Sequence, residues 1–157
     1  MKRIRIEVNG AWREGWARPG QTLLGFLRDE LDCMEVKKGC GRGDCGSCSV
    51  IMDGRLVDSC LVLALQAEGC SILTAAGLGS RESPHPIQQA FLETGALQCG
   101  FCTPGMVLAS KALLDEQPRP DVEQIKRGLS GNLCRCTGYK KIIEAVQQAS
   151  GERGKEP

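Results

Sequence analysis

Between Lys38 and Ser49 the chain reads Lys-Gly-Cys-Gly-Arg-Gly-Asp-Cys-Gly-Ser-Cys-Ser, three cysteines held apart largely by glycine. Such a run is too short and too rich in glycine to persist as a strand or a helix. Cys40, Cys45 and Cys48 stand at gaps of four and two residues, so one loop can turn all three thiols toward a common centre. Cys60 completes a quartet, and C-x4-C-x2-C followed by a distant cysteine is the spacing of a plant-type 2Fe-2S site. Four thiolates are what two irons require, because each takes two cysteine sulfurs and shares two bridging sulfides. Gly39, Gly41, Gly43 and Gly46 would let backbone N–H groups approach those sulfurs and offset the negative charge of a cluster. Two other readings stand beside this one: a flexible loop with incidental cysteines, and a zinc site, for which the spacing is unusual.

Disulfides are a weaker account of these thiols. Ten cysteines among 157 residues fall short of the roughly 8–10% that marks a small disulfide scaffold. The N-terminal stretch Met1–Glu7 alternates charged and apolar residues and carries neither a continuous hydrophobic region nor a twin arginine. The expected location is therefore cytoplasmic, a reducing compartment where clustered cysteines serve metals. The longest apolar run, Cys60–Leu65, is far below the roughly 18 residues of a membrane span. A net charge of +1 shows no basic excess for gripping nucleic acid, and 41% hydrophobic with 25% charged residues is ordinary for a globular protein.

Around the loop the patterning is that of a small mixed domain. Ile4, Ile6 and Val8 alternate with polar residues and run into Asn9-Gly10, a strand and a tight hairpin turn with its return over residues 11–18. Thr22 can cap a short helix burying Leu23, Leu24, Phe26, Leu27 and Leu31. Val50–Met52, Asp53-Gly54 and Leu56–Val57 form a second hairpin, and Ile72 with Leu73 a further short strand. These elements make an α+β unit over residues 1–75. From residue 76 the alternation stops, and Gly77, Gly79, Ser80, Ser83, Pro84 and Pro86 mark a linker into an all-α unit over 76–150. Four helices are expected there: one carrying Ile87, Ala90 and Phe91 and ending at Gly95, one opening at Thr103-Pro104, one with an Asp121–Gln124 capping box, and one from about Gly138 to Gln148. Residues 151–157 form a polar tail. Units of this size commonly need a metal or disulfide staple.

The helical half supplies a second quartet, Cys99, Cys102, Cys134 and Cys136. Each pair precedes an expected helix, so all four thiols are placed at helix N-termini, where thiolates are stabilised. Paired cysteines on two helix ends suit zinc as well as a second 2Fe-2S centre. Cys33 and Cys70 remain as small buried hydrophobes, and His85, between two prolines, as a local structural residue. Lys37, Lys38 and Arg42 read as solvated loop charge, with docking to a redox partner the alternative.

Four segments carry a resemblance: Gly39-Cys-Gly-Arg-Gly-Asp-Cys-Gly-Ser-Cys48, Asp58-Ser-Cys-Leu61, Gln98-Cys-Gly-Phe-Cys-Thr-Pro-Gly-Met106 and Gly131-Asn-Leu-Cys-Arg-Cys-Thr-Gly-Tyr139. Together they resemble the small iron-sulfur subunit of the molybdenum hydroxylases, the family of xanthine dehydrogenase, aldehyde oxidoreductase and aerobic carbon monoxide dehydrogenase. The resemblance implies an N-terminal β-grasp, plant-type ferredoxin-like domain followed by a four-helix domain with a second 2Fe-2S centre. It implies a large partner subunit holding a molybdenum-pterin cofactor and a medium one holding FAD, in a heterotrimer or a dimer of heterotrimers. Electrons would pass from molybdenum through the helical-domain cluster, then the ferredoxin-like cluster, to the flavin. Gln98 is similar to the family's contact to the pterin, and Cys136, besides ligating iron, to the cysteine lying against the pterin amino group. Ser47 stands where the family commonly has alanine, and Met34-Glu35-Val36 replaces a more usual Thr-Gly-Thr-like approach to the loop. A free ferredoxin-type carrier and a zinc-stabilised interaction module are the alternatives.

Iron and acid-labile sulfide analysis of the purified protein separates these readings. Iron and sulfide in equal amounts, with a brown visible spectrum, are expected; a colourless, zinc-replete protein would support the interaction module instead.

Overall fold

A computed structural model describes residues 1–151; residues 152–157, most of the expected polar tail, lie outside the described residues. The first half is a five-stranded mixed sheet made of β1 (Lys2–Val8), β2 (Ala11–Ala17), β3 (Ser49–Met52), β4 (Arg55–Asp58) and β5 (Ser71–Leu73), in the order β2-β1-β5-β3-β4. Asn9-Gly10 and Asp53-Gly54 turn the two hairpins with φ of 52° and 80°, and of 48° and 80°. Both central residues are left-handed in each turn, which matches the twist of the flanking strands. β1 pairs antiparallel with β2 and parallel with β5, whose other edge pairs antiparallel with β3.

Ile4, Ile6 and Val8 leave one face of β1 and pack with Leu23, Leu24, Phe26 and Leu27 of helix α1 (Leu23–Asp29) in the first core. Thr22 caps that helix, its Oγ1 accepting from Gly25 N at 3.2 Å. Cys33 is buried in this core and Cys70 packs partly buried against it. The Met34–Val36 approach is tied down at both ends. Arg28 Nη1 donates to the carbonyls of Met34 and Val36 at 3.2 and 2.8 Å, and Thr74 Oγ1 donates to Glu35 at 2.6 Å. Two short 3-10 turns, Ala64–Ala67 and Ala75–Gly77, escape the sequence reading because a single turn is too short to show a period.

The second half is built on α2 (Pro86–Thr94), α3 (Thr103–Glu116), α4 (Val122–Gly128) and α5 (Lys140–Ala149). Their apolar faces meet in a second core, with Ile87 and Phe91 of α2, Met106 of α3, Ile125 of α4, and Ile142 and Val146 of α5 all fully buried. His85 caps α2 through Nδ1, which accepts from Ile87 N at 3.3 Å, and Gln88 returns the capping-box bond. Asp121 and Gln124 form the expected box on α4, with both bonds at 2.8 Å. The last helix starts two residues later than expected. Gly138 and Tyr139 both have positive φ, 63° and 68°, and a left-handed pair cannot begin a right-handed helix.

The two halves meet where α3 lies against β3 and β4. A Cβ added to Gly105, in the first turn of α3, would stand 2.3 Å from the backbone carbonyl oxygen of Gly46. Within a helix, glycine to alanine alone gains about 1 kcal/mol, whereas overpacking a rigid backbone contact costs about 1–3 kcal/mol. Gly105→Ala is therefore expected to destabilise the protein in denaturant unfolding. Gly128→Ala, whose new methyl meets only the Leu113 side chain at 3.0 Å, should be close to neutral.

Candidate metal centres

The fold brings each quartet together as two pairs. In the first, the loop between α1 and β3 carries Cys40, Cys45 and Cys48, and the residues after β4 add Cys60. Cys40 N donates to Cys45 Sγ at 3.3 Å, while Arg42 N and Asp44 N donate to Cys40 Sγ at 3.4 and 3.3 Å. The Arg42 and then the Asp44 amide hold the exposed Cys40 thiol at about 7, below its ordinary value of 9.0. Cys48 behaves in the opposite way: burial, with Cys60 and Asp58 beside it, pushes its thiol up to about 12. Asp58 is itself raised by burial, although Ser49 and Cys48 hydrogen-bond to it.

In the second quartet Cys99 and Cys136 lie with their sulfurs 3.6 Å apart, and Cys102 faces Cys134. Cys102 is the N-cap residue of α3, but Cys134 and Cys136 sit in a loop ahead of α5 and not at its N-terminus. The expectation that helix ends stabilise these thiolates fails at Cys102, where burial and the neighbouring Cys134 push the thiol up to about 12. Cys134 is served by its own loop. Burial raises it, yet bonds from Thr137 Oγ1 and N at 3.2 and 3.4 Å and from the Cys136 amide outweigh that, so its thiol titrates low. Tyr139 braces the loop, its hydroxyl accepting from Cys134 N at 2.9 Å and donating to the Asn132 carbonyl at 3.2 Å. Those bonds offset the cost of about 1–3 kcal/mol of holding a bulky residue at positive φ.

These groups suit 2Fe-2S centres. Each offers four thiols in pairs, the grouping two irons take, with N–H groups directed at several sulfurs. Gly39 leaves space for a sulfur, since a Cβ there would stand 2.7 Å from Cys45 Sγ. Among the described residues no three metal-ligating side chains converge on a single ion. The protons on Cys48 and Cys102 would leave as metal binds.

Several residues of the centres were not singled out by spacing. Asn132, Thr137 and Tyr139 lie within the Gly131–Tyr139 segment, and Asp58 within Asp58–Leu61, but hydrogen-bonding roles have no spacing rule to expose them. Lys37 is engaged locally, donating to the Met34 carbonyl at 2.8 Å, and Arg42 pairs with Asp44 at 2.5 Å. Gln98, next to Cys99, is exposed.

Comparison with known proteins agrees with this geometry. Residues 6–76 match the family described as the 2Fe-2S iron-sulfur cluster binding domain, and residues 74–147 the 2Fe-2S binding domain. Two such domains define an iron-sulfur electron-transfer protein. The chain is 48% identical over 146 residues to the nicotinate dehydrogenase small FeS subunit of Eubacterium barkeri, covering 93% of each. It is 44% identical over 146 residues to the xanthine dehydrogenase iron-sulfur-binding subunit of Escherichia coli O157:H7, covering 91% of each. Among solved structures, quinoline 2-oxidoreductase from Pseudomonas putida 86 superposes with a TM-score of 0.92 at 43% identity, over 96% of this chain and 94% of that one. The aldehyde oxidoreductase of Desulfovibrio desulfuricans also gives 0.92 at 41% identity, over 98% of this chain but 18% of the longer one. The chain belongs to the family of small iron-sulfur subunits of the molybdenum hydroxylases.

Ser47 is buried beside the first quartet, and a Cβ on Gly39 would stand 3.3 Å from its hydroxyl. The hydroxyl thus shares the open side of Gly39 with the Cys45 sulfur. A hydrogen bond donated by this hydroxyl to a bound sulfide, worth about 1 kcal/mol, would raise a one-electron potential by up to about 40 mV. Ser47→Ala is expected to lower the midpoint potential of the first centre within that range; an unchanged potential would remove this role.

Proposed function

We propose that the chain divides into a plant-type ferredoxin-like domain over residues 1–75 and a four-helix 2Fe-2S-binding domain over 76–150. Cys40, Cys45, Cys48 and Cys60 are the ligands of the first centre, and Cys99, Cys102, Cys134 and Cys136 those of the second. When bound, the clusters take up and release single electrons, relaying them from a molybdenum-pterin centre on a large partner subunit to FAD on a medium one. The complex is a heterotrimer or a dimer of heterotrimers in the cytoplasm. The substrate is chosen by the large subunit, since this chain serves only the electrons. Among the described residues no helix is long and apolar enough to cross a membrane.

One observation supports this reading above others: the second quartet is exposed at Cys99 and Cys136, and Gln98, adjacent to Cys99, is exposed beside it. The apolar side chains of Leu97, Phe101 and Leu133 are exposed as well, each within two residues of a cysteine of this quartet. Such a surface suits burial against a partner that brings a cofactor close. Gln98 would offer an amide donor and acceptor to a pterin, and Cys136 a sulfur in contact with it. The first quartet opens elsewhere, at exposed Cys40 with Leu61 packed over Gly43. Lys38 and Arg42 are exposed around it.

The test is made on the purified complex. Copurification with a large and a flavin-bearing subunit is expected, and a chain that purifies alone would favour the free carrier. In that complex Cys102→Ser should impair electron transfer out of the molybdenum site. Cys45→Ser should block delivery to flavin and leave the helical-domain centre reducible by substrate. Metal loss can unfold a small domain, so circular dichroism is recorded first. Neither centre reduced in folded Cys45→Ser would contradict the order of the relay.

A further inference from the structure

The two metal-binding loops are not merely neighbours; they are bonded to each other. Leu133 N donates to the Cys45 carbonyl at 2.9 Å, and Leu133 is followed directly by Cys134. A continuous path therefore runs from Cys45 Sγ through its Cβ, Cα and carbonyl, across this hydrogen bond, and along one residue to Cys134 Sγ. One residue back from Leu133, Asn132 fixes the register against Gly46, one residue on from Cys45. Its side chain is buried, and Nδ2 donates to the Gly46 carbonyl at 2.9 Å and to Ser49 Oγ at 3.2 Å. Ser49 Oγ in turn donates to the same Gly46 carbonyl at 2.7 Å.

The fit leaves no slack. Gly46 has φ of +66°, and a Cβ there would stand 2.5 Å from both Asn132 Nδ2 and the Gly131 carbonyl oxygen. Beside the Asn132 amide, Gly105 of α3 closes on the same Gly46 carbonyl, since a Cβ there would stand 2.3 Å from the Gly46 oxygen and 3.3 Å from Asn132 Nδ2. Cys45 and Gly46 are adjacent, as are Asn132 and Leu133, so the side-chain clasp and the backbone bridge set each other's geometry. A buried amide with its donors satisfied by a backbone carbonyl holds that geometry far better than apolar contact does.

We propose that Asn132 is a positioning residue that holds the Cys45 carbonyl on the Leu133 amide, and that this hydrogen bond is the electron bridge between the two quartets. The inference rests on the relay reading above. With both centres bound, the step would move one electron from the centre that Cys134 would hold to the centre that Cys45 would hold, oxidising one and reducing the other, with no bond made or broken.

The experiment compares the cluster-loaded wild-type complex with Asn132→Ala and Asn132→Asp, each carrying its full iron content. Asn132→Asp keeps the shape and sets an acceptor against the Gly46 carbonyl. In both variants the individual EPR signals of the two reduced centres should persist. Their mutual magnetic splitting should shift, and freeze-quench reduction of the first centre by the second should slow several-fold. Unchanged splitting and an unchanged rate would overturn the proposal while leaving the relay intact. A failed relay looks different, since the first centre then never receives substrate electrons even in the wild type. Hydrogen exchange supplies a measurement that does not depend on loading the variants. The Leu133 amide of the wild-type complex should be protected, and exchange at the rate of a free amide overturns the bridge outright.

Discussion

The carbonyl of Gly46 is the point on which both halves of the molecule close. It accepts from Ser49 N at 3.1 Å, from Ser49 Oγ at 2.7 Å and from Asn132 Nδ2 at 2.9 Å, with Gly105 packed against it. A buried carbonyl left unpaired costs about 1–3 kcal/mol; here donors from both domains converge on one. Each donor belongs to a different functional piece: Ser49 begins β3 directly after Cys48, and Asn132 opens the second cysteine loop. The sheet and the helices cannot slide past one another without breaking this junction, so the spacing of the two cysteine loops is set by the fold itself.

Burial and hydrogen bonding set four of the thiols apart. Cys40 is exposed and titrates low because backbone amides point at it, and Cys134 titrates low because its loop supplies donors. Cys48 and Cys102 are buried and resist ionising, both pushed to about 12. Each quartet therefore pairs a readily ionised sulfur with a reluctant one. Around a bound centre the N–H groups at Cys40 and Cys134 would face its negative charge, and the buried sulfurs would join as metal replaces their protons.

The exposed apolar side chains follow the same division. Leu97, Phe101 and Leu133 are exposed within two residues of cysteines of the second quartet, and Leu61 covers Gly43 at the first. Scattered single hydrophobes on a surface carry no message. Grouped about two metal-binding edges of a small iron-sulfur subunit, they suit two separate contacts in a larger assembly, with the bonded junction between them.

Much of this was legible in the chain. Alternation at Ile4, Ile6 and Val8, the Asn9-Gly10 and Asp53-Gly54 turns, the Thr22 cap and the Asp121–Gln124 box are local rules, and local rules act through residues close in sequence. The cysteine spacings within each short loop belong to the same class, whereas the meeting of Cys99 with Cys136 across 37 positions was decided by the fold. What the sequence could not decide was non-local or a contest between opposing forces. The start of α5 turned on two left-handed residues, one of them a tyrosine whose conformation is held by its bonds to Cys134 N and the Asn132 carbonyl. The high thiol of Cys102 turned on burial, which overcame the helix end it caps. Asn132 reached Gly46 across 86 positions of chain. The residues alone marked which thiols are candidates for holding metal; only the packing of α3 on β3 and β4 decided how the two cysteine loops are joined, because that contact exists in no segment taken by itself.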